Sequence, residues 1–107
     1  MTHIRTIGEK LAKKGFKLIL LQQGPNTQLD LGYDKTLATG ELLQLELKQA
    51  STFYHSTVTC TAEMSKWFGR EKRSVRIELI GADVEERTVL MLEDRLRPLW
   101  VVIAAEA

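Results

Sequence analysis

The sequence predicts an α+β domain: an N-terminal helix packed on a mostly antiparallel sheet of about six strands, with a short inserted helix. Three observations carry this. Residues 4–11 repeat apolar side chains at helical spacing, later segments alternate at a spacing of two, and glycine- or proline-bearing turns separate them. The chain has 107 residues, enough for one core without disulfides and too few for two, so 1–107 is read as a single domain.

The first element is the helix. Ile4, Ile7 and Leu11 form its apolar stripe. Thr2 or Thr6 is the candidate cap, and Thr6 to Glu9 fits a capping box. Lys10, Lys13 and Lys14 come late, where cations complement the helix dipole, and Gly15 suits the C-terminal cap. Gly8 costs about 1 kcal/mol of helix propensity, which predicts another element packed closely against it.

From Phe16 the period becomes extended. Lys17 to Gln23 contains Leu18-Ile19-Leu20-Leu21, apolar on both faces, and reads as a central strand. Gly24 to Thr27 is a turn by composition, and Gln28 to Tyr33 alternates, so the two strands form a hairpin. Glu41 to Ala50 alternates most cleanly, with Leu43, Leu45 and Leu47 against Gln44, Glu46 and Lys48, and predicts one buried and one wet face. Residues 51–55 read as a loop or bulge and Thr57 to Ala62 as a fourth strand. Met64, Trp67 and Phe68 share one face of the short inserted helix, with both aromatics as core anchors. Ser74 to Ile80 is a strand that buries Val75, Ile77 and Leu79. Residues 84–96 fit a helix through Val89, Leu92 and Leu96. They fit a strand through 88–92 as well, and the strand is favoured, followed by a last strand over Leu99 to Ala104.

Composition excludes several classes of function. Fifteen Lys and Arg against 14 Asp and Glu leave a net charge of +1, which gives no reason to expect a dedicated nucleic-acid or membrane-surface protein. Cys60 cannot pair within the chain, and one cysteine with two histidines cannot build a structural zinc site. Neither a signal peptide nor an apolar run of membrane-spanning length appears, so the expected compartment is the cytoplasm, with no membrane partner. No glycine-rich phosphate cradle is present, which disfavours the common nucleotide-binding enzymes.

Three constellations could carry chemistry. Asp30 precedes Glu46-Leu47-Lys48, and the i, i+2 spacing sets Glu46 and Lys48 on one strand face. Two carboxylates can hold Mg²⁺ while the lysine orients or deprotonates a water. With the order helix, three strands, helix, strand over roughly residues 3–80, this resembles the core of the PD-(D/E)xK nuclease superfamily. The resemblance implies Mg²⁺ and a catalytic set of Asp30, Glu46 and Lys48. Glu-x-Lys also arises in any amphipathic strand as cross-strand charge pairing, and that reading is preferred. The second constellation is basic: Lys66, Arg70, Lys72, Arg73 and Arg76, interleaved with Trp67 and Phe68, are the candidate partner-binding residues. A solvated turn explains them more simply than nucleic acid does. Lys10, Lys13, Lys14 and Lys17 form a second basic cluster, and Asp83 to Asp94 an acidic counterpart. The third, Cys60 or Ser56 as a nucleophile with His55 as its base, is set aside because Cys60 shares parity with Val58 and faces the core.

The leading expectation is therefore a small non-catalytic accessory or binding domain without a cofactor. It self-associates, covering its apolar C-terminal segment with a second copy, and holds a macromolecular partner on a polar sheet face or basic turns. A metal-dependent nuclease is the alternative, and an enzyme or carrier with an apolar pocket between helix and sheet is a third reading.

Overall fold

The computed structural model describes residues 3–25, 28–51 and 54–106. Helix α1 (Ile4–Lys13) leads into five strands, β1 (Lys17–Gln23), β2 (Leu29–Thr36), β3 (Leu42–Ser51), β4 (Ser56–Phe68) and β5 (Glu71–Ile80). A short 3-10 turn at Gly81–Asp83 then precedes α2 (Glu86–Leu90) and α3 (Leu92–Ala105). The strands form one antiparallel meander in the order β1-β2-β3-β4-β5, each paired with its sequence neighbour.

The α+β class stands, with an N-terminal helix on an antiparallel sheet, but three predicted elements are corrected. The described residues form five strands, not six. The expected inserted helix at 64–68 is the end of β4, whose alternation continues through Met64 and buries it opposite Val75. Glu86–Leu90 and Leu92–Ala105 are helices, so neither the strand favoured within 84–96 nor the last strand over 99–104 forms. Their apolar residues at three- and four-residue spacing, Val89, Leu92, Leu96 and Trp100, are all buried on one stripe, and that tertiary burial outweighs the β-propensity of 88–92 and 99–103.

Local chemistry explains α1. His3 is its N-cap and accepts from the Arg5 N–H through Nδ1 at 3.3 Å, so Thr6 lies inside the helix. The alternative cap, Thr2, lies outside the described residues, as do Asn26 and Thr27 of the first turn and Thr52 and Phe53 of the third connection. At the other end Gly15 takes φ 94°, as predicted for a cap. Its N–H donates to Ala12 O and that of Phe16 to Leu11 O, both at 3.1 Å, which closes a Schellman motif.

All three helices lie on one side of the sheet. The core joins Ile4, Ile7 and Leu11 of α1 to two rows of strand residues, continued by Val84, Val89, Leu92, Leu96 and Trp100. One row is Tyr33, Leu45, Ala62 and Ile77, and the other is Leu31, Leu47, Cys60 and Leu79. Gly8 packs on Tyr33 so closely that a Cβ there would lie 2.1 Å from the phenol oxygen, which fulfils the expectation of a close neighbour. Burial of that phenol, helped by Glu9 and opposed by Arg5, raises its pKa above the ordinary tyrosine value. Strand β1 departs most from expectation. It is the edge of the sheet, not its centre, and every residue from Lys17 to Gln23 is exposed.

Candidate functional site

No element covers the second sheet face among the described residues. It displays the side chains that alternate with the core rows: Asp30, Gly32 and Asp34 of β2, Gln44, Glu46 and Lys48 of β3, Thr59, Thr61, Glu63 and Trp67 of β4, and Lys72, Arg76, Glu78 and Ile80 of β5. A shallow groove of about 240 Å³ runs across its middle, floored by Gly32 and Thr61 and walled by Leu20, Glu46, Glu63 and Arg76. Gly32 keeps the groove open at β1, because a Cβ there would meet that of Leu20 at 3.0 Å. Apolar groups mark the margins: Ile19 and Leu20 at one edge, Ile80 at one end, and Trp67, 63 % exposed, at the other.

Asp30, Glu46 and Lys48 do share this face. Asp30 stands directly opposite Lys48, whereas Glu46 stands opposite Gly32. The Lys48 ammonium lies 3.0 Å from the Glu46 carboxylate. That hydrogen bond and charge, aided by Asp30 and opposed by slight desolvation, raise the lysine pKa above its ordinary value. A lysine that deprotonates water at neutral pH needs the opposite shift. No group of three or more His, Cys, Asp or Glu side chains among the described residues is placed to hold a metal ion. The inserted helix expected at 64–68, which the nuclease-like layout needs, is absent because β4 runs through it. One buried oxygen each of Asp30 and Asp34 finds no hydrogen-bond partner among the described residues.

Four of the five predicted partner-binding cations divide between the two faces, and the fifth lies in a turn. Lys66 and Arg73 stand opposite each other on the helix side. Lys66 donates to Thr39 O at 3.0 Å and lies over the Phe68 ring, while Arg73 donates to Ile103 O at 2.9 Å at the end of α3. Lys72 and Arg76 lie on the open face, 3.9 Å from Glu63 and Glu78 respectively. Arg70 sits exposed in the turn joining β4 to β5, beside Gly69 at φ 65°. The residues expected to anchor a helix are split as well: Phe68 stacks on Trp100 with centroids 6.2 Å apart, and Trp67 points outward.

The antiparallel register brings Lys17, Lys35, Lys66 and the 70–73 turn to one end of the sheet. The two basic clusters thus share an end, yet Lys17 on β1 and Arg73 on β5 lie four strand spacings apart across it, roughly 19 Å. The acidic stretch is partly neutralised within the chain, with Glu86 paired to Lys10 and Glu93 3.8 Å from Arg97.

A site absent from the sequence reading is the buried carboxylate of Glu41, 3 % exposed. Burial alone would raise its pKa, but Thr39 Oγ1 at 2.5 Å and Arg97 Nη1 at 2.6 Å donate to it and hold it below the ordinary value. No local signal announces it, because Arg97 is 56 residues away. Cys60 is fully buried, as its parity predicted, and burial pushes its thiol up to about 12. Between the α1 terminus, Lys35 and α3 lies a cleft of about 170 Å³ lined by Phe16, Leu43 and Leu92. That is below the range of roughly 300–1,000 Å³ usual for small-molecule sites.

These features define a helix-backed antiparallel sheet with one open, charged face. Comparison of the chain with protein-family models, curated proteins and solved structures found no match. No helix among the described residues is long and apolar enough to cross a membrane.

Proposed function

We propose that this protein is a non-catalytic binding domain that self-associates and holds a protein partner on its open sheet face. The observation that carries this reading is Trp67, a large aromatic left 63 % exposed on a face that no element covers. Exposed aromatics are the residue type that dominates protein-partner binding energy, and Trp67 stands opposite Lys72 at one end of this face. The charges favour protein over nucleic acid. Asp30, Asp34, Glu46, Glu63 and Glu78 share the face with Lys17, Lys48, Lys72 and Arg76, so no cationic surplus exists to neutralise a phosphate backbone. The nuclease alternative keeps three residues on one face but loses its lysine to Glu46.

Photo-crosslinking tests the reading. A benzophenone side chain replaces Trp67 in one variant and Arg87, exposed on α2, in another, and both are irradiated in cells. Protein adducts from position 67 that are absent from 87 are the expected outcome. Adducts to nucleic acid alone, or none from position 67, overturn it.

A further inference from the structure

We propose that the outer edge of β1 pairs antiparallel with β1 of a second copy about a two-fold axis. Leu18 of each chain then lies opposite Leu21 of the other, and Ile19 opposite Leu20. The inference specifies the self-association part of the function proposed above and does not depend on what the open face binds.

An exposed apolar edge strand is a template for pairing, and proteins normally blunt it with charge, with proline or with a bulge that twists the edge away. Here Leu18, Ile19, Leu20 and Leu21 are 45, 53, 40 and 56 % exposed and carry no charge among them. The occupant follows from the register. Leu18 pairs with Tyr33 and Leu21 with Leu31, so both lie on the helix side. A bulge at Ile19 interrupts the pairing between Leu18 and Leu20, and the Ile19 and Leu20 side chains both approach Gly32 on the open side. In an unbulged strand residues 18 and 21 would face opposite ways. The bulge puts them on one face, and a two-fold axis normal to the sheet requires opposed residues to share a face.

With the axis between Ile19 and Leu20, all four apolar residues meet apolar residues, and Lys17 meets Gln22 with no like-charge contact. The two core rows also become continuous. Leu79, Cys60, Leu47, Leu31 and Leu21 of one chain run on into Leu18, Tyr33, Leu45, Ala62 and Ile77 of the other. An unrelated strand would match the apolar edge but would not extend these rows. The product is a ten-stranded sheet with both helix layers on one side and both open faces on the other.

Sedimentation equilibrium of the full chain, with a mass of 12.2 kDa, is expected to show a dimer. Ile19→Lys with Leu21→Lys changes exposed positions only and should yield a monomer with unaltered circular dichroism. Opposed Cα atoms lie about 5 Å apart, within disulfide range, whereas the two Leu18 positions are about 10 Å apart. A Leu18→Cys chain mixed with a Leu21→Cys chain should therefore cross-link to completion under mild oxidation, and neither alone should. Cys60, buried, stays out of the reaction. A dimer that survives the double lysine variant, or cross-linking of Leu18→Cys to itself, overturns the β1 pairing while self-association stands. A monomer at every concentration overturns both.

Discussion

Single side chains set the tightest constraints, and three can be tested directly. The Gly8 contact with Tyr33 leaves no room for a methyl group, and Tyr33 is too buried to swing away. Gly8→Ala gains roughly 1 kcal/mol of helix propensity but must overpack the contact, at about 1–3 kcal/mol. Net destabilisation is expected in urea titration, smaller in a Tyr33→Phe background, because the nearest clash is with the phenol oxygen. Glu41 links stability to pH. Its folded-state pKa lies below the unfolded one, so its contribution is present above the unfolded value and lost as pH falls through the folded one. Stability should drop on acidification below the ordinary glutamate range, and Glu41→Gln should flatten part of that drop. Arg97→Ala, which leaves the buried carboxylate one donor short, is expected to cost about 1–3 kcal/mol. At Cys60 a thiol-specific reagent should react with the native protein at pH 8 only as fast as it unfolds.

At the scale of elements, the β4–β5 hairpin and α3 depend on each other. Trp100 stacks on Phe68, Arg73 donates to the end of α3, and Arg97 closes on Glu41 at the start of β3. Trp100, 4 % exposed, therefore fastens the last helix, and Trp100→Ala should cost about 3–5 kcal/mol in chemical denaturation. Emission separates the two tryptophans: Trp67→Phe should leave the blue-shifted signal of buried Trp100, and Trp100→Phe the red-shifted signal of exposed Trp67. The element errors have one physical source. The 88–92 and 99–103 segments are rich in β-branched and aliphatic residues, so strand and helix both fit locally, and only burial of Val89, Leu92, Leu96 and Trp100 on one stripe decides for helix. Residues 64–68 failed in the opposite direction, since Trp67 and Phe68 are adjacent and so point to opposite faces of a strand. The hairpin of β1 with β2, the alternation of β3 and the burial of Leu79 were legible because period-two patterning with turn residues leaves few alternatives.

For the whole molecule, charge is nearly balanced on the open face as well as in total. The net of +1 conceals a basic end and an open face on which acids and cations alternate. Trp67 emission is accordingly expected to stay unchanged on titration with a single-stranded oligonucleotide at physiological salt. Quenching that weakens with added salt would mean that the basic end, and not the open face, dominates.

Local patterning suffices for the α+β class, the N-terminal helix with its Gly15 cap, the wet face of β3 and the inward thiol of Cys60. Each follows from periodicity or parity over a few neighbouring residues. It also set Asp30, Glu46 and Lys48 on one face, since parity and hairpin order suffice for that. Tertiary structure decided what depends on residues far apart in the chain: that Leu18 to Leu21 form an uncovered edge, that Arg97 reaches Glu41, that the basic residues split between two faces, and that Trp67 stands exposed. A strand apolar on both sides reads the same at the centre of a sheet or at its edge, and only the order of the strands tells the two apart.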